Sequence, residues 1–367
     1  MTQILVGLLS ISGLCAFLAL LLEIAHAYFA NYGECRIDIN DGTKQVTVKG
    51  GGKLLGTLMD QGIFIPSACG GRGSCGLCKV KVLEGGGPIL PTETPYMNAQ
   101  ELASGIRLSC QVRVRNDLKI AIPEAFFLIK AFKTRVIGLK SLTHNIREVH
   151  LKLVDPPEIV FKPGQFIQFE VPEYEGCPEP VYRAYSIASA ASRNTELKLT
   201  ITYVERGLAT TYIHKLLQEG NEVRINGPYG DFYLRHSDRD MILIATGSGL
   251  APLISILYQM AEEGIDRKAT LYFGVRSRRD LFYEEEIRRV STSLPRFTYV
   301  PVLSAPLPED RWEGETGMVT DPIQRDLRDG SQTEAYLCGN PLMIDAAVKL
   351  LKAKGVAEDR IFFDKFS

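Results

Sequence analysis

Three cysteines lie close together in a glycine-rich segment, residues 67–80, whose sequence is SACGGRGSCGLCKV. Their spacing is Cys69-x5-Cys75-x2-Cys78, and Cys110 lies downstream in the segment RLSCQ. The chain has eight cysteines in 367 residues, too few for a disulfide scaffold. Glycines let a short chain wrap around a bound group and direct N–H groups towards sulfur. The segment therefore predicts a metal or redox site in a reducing compartment.

The cysteine spacing resembles that of plant-type [2Fe–2S] ferredoxins, in which three of four cysteine ligands lie on one loop. The resemblance implies that Cys69, Cys75, Cys78 and Cys110 bind a [2Fe–2S] cluster. A structural zinc site with four cysteine ligands is the alternative, but zinc ribbons usually contain two C-x2-C pairs and this chain has one. The first spacing is five residues where plant ferredoxins have four, and the longer loop is similar to that of a membrane enzyme family.

The N-terminal segment is apolar, with no charged residue between residues 4 and 22. A helix over this run spans roughly 28 Å, close to the thickness of a bilayer. The segment AHA at residues 25–27 leaves a cleaved signal peptide as an alternative, but the run is long and no basic residue precedes it. A buried soluble helix is a third possibility. We expect residues 1–33 to be a single-pass anchor in the inner membrane, with the basic residues after it on the cytoplasmic side.

The remaining chain divides into three segments that differ in their pattern of predicted strands and helices. Residues 34–124 alternate short strands and helices, which predicts a small α+β domain, and the resemblance to ferredoxins implies a β-grasp fold for it. Residues 125–236 contain short alternating strands separated by turns, which predicts an antiparallel β-barrel. Residues 237–367 alternate apolar strands with helices, which predicts a doubly wound α/β nucleotide-binding domain. The net charge of −1 argues against a nucleic-acid partner.

The second predicted domain contains a candidate flavin site. The segment RAYSIAS at residues 183–189 resembles the R-x-Y-S motif of the ferredoxin–NADP reductase superfamily. The resemblance implies FAD bound by Arg183, Ala184, Tyr185 and Ser186, with Arg183 on the pyrophosphate, Tyr185 on the isoalloxazine ring and Ser186 near flavin N5. The segment ERGLATTYI resembles the superfamily's second phosphate-binding segment, which implicates Gly207, Thr210 and Thr211, and GPYGDF resembles its barrel-closing turn.

The third predicted domain contains a candidate nicotinamide nucleotide site. The segment GSGLAP at residues 247–252 matches the superfamily's G-x-G-x-x-P variant, in which Gly247, Gly249 and Pro252 form a turn for a pyrophosphate at a helix N-terminus. The segment YLCGNP resembles the C-G-x-P segment, which implies that Cys338 and Gly339 lie near the nicotinamide. Cys338 is interpreted as a positioning residue and not as a nucleophile, and with Ser186 it is a candidate catalytic residue.

The choice between NADH and NADPH is less direct. Arg276, Arg278 and Arg279 follow the second strand, where a standard NAD site has an acidic residue. The segment nevertheless resembles that of NADH-specific reductases, so we expect NADH, with Arg276 near the adenosine half. Phe282 or Tyr283 is a candidate for packing on the adenine, with a core position as the alternative. Phe366 is a candidate for covering the flavin, with a plain terminal strand as its alternative.

Anchor, ferredoxin, flavin domain and nicotinamide domain, in this order, resemble the family of F subunits of Na+-translocating NADH:quinone oxidoreductases. The resemblance implies an NADH dehydrogenase subunit that passes electrons from NADH through FAD to a [2Fe–2S] cluster and on to partner subunits of a membrane complex. The alternative is the NADH-dependent reductase component of a multicomponent oxygenase, which shares the three soluble modules. A non-enzymatic membrane scaffold is a third hypothesis, against which the intact cysteine set argues.

Overall fold

The computed structural model describes residues 2–29 and 32–366. It contains two compact units. The first comprises Met1–Ile65 and Gly71–Leu128, and the second comprises Pro66–Gly70 and Ile129–Ser367. Each unit has its own buried apolar core, and the second contains two successive folding domains.

The first unit is built on a five-stranded mixed sheet with the strand order β2-β1-β5-β3-β4. Strand β1 pairs antiparallel with β2 and parallel with β5, and the turn between β1 and β2 carries positive φ angles at Asn40 and Asp41. This is the hairpin that an Asn-Asp-Gly segment favours. The elements are α1 (Thr2–Phe29), β1 (Glu34–Ile39), β2 (Lys44–Lys49), α2 (Leu54–Asp60), β3 (Lys79–Glu84), α3 (Ala99–Ala103), β4 (Ile106–Leu108) and β5 (Leu118–Ala121). The predicted α+β ferredoxin-type domain is confirmed.

Helix α1 occupies the segment in which the sequence predicts a membrane anchor. In the part of the chain that the structure describes, no helix combines the length and the apolar character needed to cross a membrane. Residues 1, 30 and 31 of the predicted anchor lie outside the described part. The transmembrane character predicted for residues 1–33 is therefore not shown by the structure.

A buried ion pair organises one loop of the first unit. Arg107 donates from Nε and Nη2 to the two carboxylate oxygens of Glu93, at 2.9 and 2.6 Å. The same guanidinium donates to the carbonyl oxygens of Gly86, Gly87 and Pro88. Burial acts to raise the pKa of Glu93, but hydrogen bonds from Arg107 and from the Leu90 and Leu108 amides outweigh it, so the pKa lies below its ordinary value.

The second unit begins with a six-stranded antiparallel sheet of strand order β10-β7-β6-β11-β8-β9. A bridge between Ile187 and Leu199 joins the residue after β9 to β10, so the two edges of the sheet meet. A closed antiparallel sheet has no exposed edge, and its interior is filled by apolar side chains. The elements are β6 (Lys130–Ser141), β7 (Ile146–Asp155), β8 (Phe166–Val171), β9 (Val181–Ser186), β10 (Glu196–Thr202), α4 (Leu208–Thr211) and β11 (Glu222–Tyr229).

The chain then forms a parallel sheet of strand order β15-β14-β13-β12-β16-β17, as predicted for an α/β domain. Strand β12 has β13 on one side and β16 on the other, so the strand order reverses at β12. Ligands of such sheets bind at the carboxyl ends of the strands beside this reversal. The elements are β12 (Asp240–Thr246), α5 (Leu250–Glu263), β13 (Ala269–Val275), α6 (Glu284–Ser291), β14 (Phe297–Leu303), β15 (Glu315–Thr316), α7 (Thr320–Asp326), β16 (Thr333–Gly339), α8 (Pro341–Ala353) and β17 (Ile361–Lys365).

A second buried ion pair lies where these two domains join. Arg267 donates from Nη2 to Glu334 at 2.9 Å, and from Nε and Nη1 to the carbonyl oxygens of Arg239 and Arg235. Glu334 also accepts hydrogen bonds from Ser237 and Tyr336. The pair therefore holds the connecting segment against the end of the parallel sheet.

Candidate nucleotide, flavin and cluster sites

The two nucleotide motifs meet at the carboxyl ends of β12 and β16. Strand β12 ends at Thr246, the turn Gly247–Gly249 follows, and α5 begins at Leu250. A Cβ atom on Gly249 would overlap the carbonyl oxygen of Cys338, and one on Gly339 would overlap the Thr246 hydroxyl. Two segments far apart in sequence thus approach backbone to backbone, because β12 and β16 are paired. Gly247 has a φ of 51°, which a glycine adopts without strain.

A cavity of about 710 Å³ opens beside this turn. It is lined by Thr246 and Gly247, by residues 144–146 and Thr202 of the antiparallel domain, and by residues of β13, α7 and α8. Arg276 and Arg279 both line it. Arg278 does not: its Nη1 donates to the Asp310 carbonyl oxygen at 3.2 Å. Only two of the three predicted arginines are therefore available to a ligand in this cavity.

Hydrogen bonds fix the antiparallel domain against the nucleotide domain. Thr202 donates from its hydroxyl to Ser248 at 2.9 Å, within the Gly247–Gly249 turn. The Tyr283 hydroxyl donates to Glu148 at 2.6 Å. Tyr283 and its neighbour Phe282 are both buried in the apolar core, which settles the choice between adenine and core in favour of the core. The contact with Glu148 was not predicted, since sequence alone does not show which strand faces α6.

Cys338 is fully buried at the end of β16, opposite Asp364 of β17. Burial, followed by the nearby Asp364 carboxylate, raises the pKa of the Cys338 thiol well above its ordinary value. A neutral thiol is a poor nucleophile, which agrees with a positioning role. The amide of Phe366 donates to the Gly339 carbonyl oxygen at 3.0 Å, so the C-terminal segment is tied to the same turn.

The flavin motif lies on β9. Ser186 is buried at the end of the strand, while Arg183, Ala184 and Tyr185 are half-buried. The Tyr185 ring packs edge-on against Phe169 with a centroid distance of 6.1 Å, and burial raises the pKa of its hydroxyl. Arg183 donates from Nη1 to the Tyr182 carbonyl oxygen at 2.6 Å. The four predicted residues are therefore consecutive on one strand of the closed sheet.

The second flavin segment precedes and includes α4. Gly207 lies immediately before the helix, where a Cβ atom would be 2.6 Å from the Thr210 hydroxyl. That hydroxyl donates to the carbonyl oxygens of Val204 and Gly207 and accepts from the Val204 amide. The hydroxyl of Thr210 is thus used to shape its own loop, whereas Thr211 is half-buried. Pro252 is buried in the first turn of α5.

The structure brings two of the predicted cluster ligands into contact. The thiols of Cys78 and Cys110 share a hydrogen bond, which together with burial raises the pKa of Cys78. Cys69 is also buried and Cys75 is half-buried. Positive φ angles occur at Gly70, Gly71, Gly73 and Gly76. Across residues 2–29 and 32–366, no three or more His, Cys, Asp or Glu side chains are arranged to hold a metal ion.

The donor set nevertheless has the chemistry that a [2Fe–2S] cluster needs. Iron–sulfur clusters bind to cysteine thiolates, and binding releases the thiol protons. A Cβ atom on Gly71 would lie 3.9 Å from the Cβ of Cys110, so the glycine loop passes directly beside a buried candidate ligand. Sequence reasoning did not identify Gln111, whose side chain contacts the Cys110 sulfur. A polar residue next to a candidate ligand was the only available indication.

Family comparisons identify three domains in this order. The 2Fe-2S iron-sulfur cluster binding domain matches residues 37–115, the oxidoreductase FAD-binding domain matches residues 133–233, and the oxidoreductase NAD-binding domain matches residues 243–349. The chain therefore carries binding domains for a [2Fe–2S] cluster, FAD and NAD, as the sequence predicted.

Individual proteins extend the comparison over nearly the whole chain. A crystal structure of the cytochrome P450 reductase GcoB of Amycolatopsis has a TM-score of 0.73 at 29% identity, covering 90% of this chain and 98% of that one. The ferredoxin reductase in carbazole 1,9a-dioxygenase has a TM-score of 0.70 at 27% identity, covering 91% and 99%. The F subunit of the Na(+)-translocating NADH-quinone reductase is 35% identical in Neisseria meningitidis and 36% in Serratia proteamaculans, in both cases over 99% of each chain. This chain belongs to the family formed by the F subunits of the Na(+)-translocating NADH-quinone reductases.

Proposed function

We propose that this chain is the electron-input subunit of a membrane-bound, Na+-translocating NADH:quinone reductase. Electrons pass from NADH through FAD to a [2Fe–2S] cluster and on to other subunits of the complex. The observation that carries the proposal is the cavity lined by Thr246 and Gly247 and by residues of the antiparallel domain, next to the point where the Gly247–Gly249 turn meets the Cys338–Gly339 backbone. FAD, when bound, supplies the exchange between a two-electron donor and a one-electron acceptor.

The nucleotide site binds NADH in this proposal. Gly247 and Gly249 bring backbone N–H groups and the N-terminus of α5 close to the pyrophosphate, which both features attract. Pro252 packs in the first turn of α5 and supports it. Arg276 and Arg279 face the adenosine half, and their presence on the cavity wall supports that assignment.

The flavin site comprises Arg183, Ala184, Tyr185 and Ser186 on β9. Arg183 binds the pyrophosphate, Tyr185 packs on the ring system, and Ser186 donates a hydrogen bond near the reacting edge. Gly207 and Thr211 bind phosphate from the start of α4, while Thr210 holds that loop in shape through its bonds to Val204 and Gly207. Phe366 covers the exposed side of the flavin.

Cys338 positions the nicotinamide. Its carbonyl oxygen lies against Gly249 of the turn, and its thiol, buried and neutral, is small and polarizable and leaves the reacting carbon accessible. Cys69, Cys75, Cys78 and Cys110 bind the cluster, and the contact between the Cys78 and Cys110 thiols supports half of that set.

Replacement of one candidate ligand tests the exit of electrons through the cluster. Cys75→Ser in the assembled complex is expected to abolish NADH-driven quinone reduction, because serine does not replace a thiolate efficiently. NADH-to-ferricyanide reduction, which needs the flavin, should persist. Cys15→Ser, an exposed cysteine of α1, is the matched control and should change neither rate. Quinone reduction that survived Cys75→Ser at full rate would refute the cluster as the obligatory exit.

A second candidate function is supported by the structural neighbours. The Amycolatopsis P450 reductase and the carbazole dioxygenase reductase both align with at least 90% of this chain. A role as the reductase component of an oxygenase would need a hydroxylase or oxygenase partner. Purification from native membranes separates the two: copurifying integral membrane subunits support the quinone reductase, and a copurifying oxygenase supports the alternative.

We further propose that residues 1–33 attach the chain to the inner membrane by a single span, with the other domains on the cytoplasmic side. The uncharged run and the exposed apolar side chains of α1, among them Ile11, Phe17 and Leu22, support this. Carbonate extraction tests it: the full chain should remain in the membrane pellet and a variant lacking residues 1–33 should be released. Release of both would contradict the proposal.

A further inference from the structure

Gln111 follows the candidate ligand Cys110, and its side chain folds back onto it. The amide nitrogen Nε2 lies 3.5 Å from the Cys110 sulfur and 3.4 Å from the Cys110 carbonyl oxygen. Distances in this range are normal for hydrogen bonds to sulfur, which is a larger atom than oxygen. Cys110 itself is fully buried, so its sulfur is shielded from bulk water.

The neighbours of Gln111 determine which way its amide is turned. Its oxygen Oε1 accepts a hydrogen bond from the Thr92 hydroxyl at 3.0 Å. On the opposite side the amide meets a carbonyl oxygen and a sulfur, both acceptors. Exchanging the nitrogen and oxygen would oppose acceptor to acceptor, so the N–H group must face Cys110. Thr92 therefore acts as a positioning residue for the Gln111 amide.

The cysteine loop leaves space for this amide. A Cβ atom on Gly73 would lie 2.6 Å from Gln111 Nε2, so a side chain there would push the Gln111 amide out of its present position. Gly73 also has a φ of 79°, which disfavours other residues. Glycine at this position thus suits the turn of the loop and leaves room for the Gln111 amide.

We propose that Gln111 raises the reduction potential of the [2Fe–2S] cluster through an N–H···S hydrogen bond to the Cys110 ligand. The inference rests on the proposed role of Cys110 as a ligand. Reduction adds one electron and increases the negative charge on the sulfur ligands, so a hydrogen-bond donor stabilises the reduced form more than the oxidised form. A neutral donor held by Thr92 keeps this effect without adding a charge.

A redox titration of the cluster, followed by electron paramagnetic resonance on the full purified chain, tests the proposal. Gln111→Leu removes the donor and should shift the equilibrium between oxidised and reduced cluster about tenfold towards the oxidised form. For a one-electron couple this corresponds to a reduction potential about 59 mV more negative. Thr92→Val, which releases the amide, should shift the potential in the same direction by less. Gln100→Leu, an exposed glutamine of α3, is the matched control and should leave it unchanged.

The outcomes are distinguishable. An intact cluster signal with an unchanged potential in Gln111→Leu overturns this inference and leaves the proposed function standing. A wild-type chain with no [2Fe–2S] signal, or one whose signal survives Cys110→Ser unaltered, overturns the ligand assignment and the inference together. If Gln111→Leu fails to retain iron, Thr92→Val decides, and an unchanged potential there refutes the proposal. The NADH-to-ferricyanide rate should stay constant throughout, because Gln111 is remote in sequence and role from the flavin motif.

Discussion

The cysteine loop and the Gly247–Gly249 turn are both rich in glycine, but they need it for different reasons. Gly71 has a φ of 84°, and a Cβ atom there would make only ordinary contacts, at 3.5 Å and beyond. Gly249 has an ordinary helical φ of −61°, but a Cβ atom would overlap the Cys338 carbonyl oxygen. Gly71 is thus needed for its backbone conformation, whereas Gly249 is needed because a side chain would not fit beside Cys338.

The two loops also differ in what holds their surroundings in shape. Beside the cysteine loop, residues 86–93 are held in shape by the side chains of Arg107 and Glu93. The Gly247–Gly249 turn is held mainly by the packing of the β12 and β16 backbones. A cofactor loop can thus be held in place by the packing of its own backbone or by a neighbouring network of side chains. The two cases should respond differently to substitution.

The largest expected effect tests the side-chain network. Arg107→Met should lower the free energy of unfolding of the first unit by about 3–5 kcal/mol, because it leaves the Glu93 carboxylate buried without its partner. Loss of the cluster's visible absorbance in urea follows the first unit through Cys75, Cys78 and Cys110, the three proposed ligands that it contains. Fluorescence of the single tryptophan, Trp312, reports the second and should keep its midpoint. Lys119→Met, which breaks an exposed pair with Glu84, is the control and should change little.

The next largest effect tests the need for space. Gly249→Ala should raise the KM for NADH about a hundredfold, equivalent to about 2.7 kcal/mol, because the turn must move away from Cys338. Gly247→Ala is the matched control: no atom lies within 4 Å of its Cβ position, so only the strain of its φ contributes. Equal KM values for the two variants in the ferricyanide assay would contradict a role for space at Gly249.

The choice of replacement separates conformation from space. At Gly71, alanine should destabilise the first unit by about 1–2 kcal/mol and asparagine by less, because asparagine tolerates positive φ better. At Gly249 the order should reverse, since asparagine is larger than alanine. Urea unfolding for Gly71 variants and NADH affinity for Gly249 variants measure the two series. If alanine is the better residue at both positions, the distinction drawn between the loops is wrong.

The smallest effect concerns pH. Burial raises the pKa of Asp364 to about 6, so the folded state holds its proton more tightly than the unfolded state. Its contribution to stability is therefore complete below pH 4 and is lost as the pH rises towards 6. Asp364→Asn should stabilise the second unit at pH 7 by on the order of 1 kcal/mol and by much less at pH 4. An equal gain at both pH values in Trp312-detected unfolding would count against this assignment.

A fall in pH has the opposite effect on the contribution of Glu93 to stability. Its pKa is lowered, so the stability that it provides is present above its unfolded pKa and is lost as the pH falls through the lower folded value. As the pH falls, Asp364 in the second unit should therefore lose its charge before Glu93 in the first unit does.

The sequence predicted the elements whose periodicity and motifs are local. The alternation of strands and helices after Asp240, the hairpin around Asn40 and the strand-borne residues Arg183 to Ser186 all follow from short patterns. The contact between Gly249 and Cys338 could be expected only because strands that carry nucleotide motifs pair in this fold class. Residue Arg276 does lie on the wall of a cavity, although its ligand stays a prediction.

The remaining features depend on contacts between distant segments. Arg278 follows the same strand as Arg276 and yet binds the Asp310 carbonyl oxygen, a difference that no local pattern encodes. The pairs Tyr283–Glu148 and Arg107–Glu93 join residues with no shared motif. The approach of Gln111 to sulfur depends on a side-chain rotamer and on Thr92, both of which are decided by tertiary packing.

The bond network of Arg267 has a consequence for recombining this chain with its relatives. The predicted boundary between residues 236 and 237 falls inside the segment whose carbonyl oxygens, at Arg235 and Arg239, Arg267 binds. A chimera joined at that boundary would take the two carbonyl groups from different parents while keeping one guanidinium. Crossovers placed before Arg235 keep the whole network within one parent, which makes that position the better junction for exchanging nucleotide domains between family members.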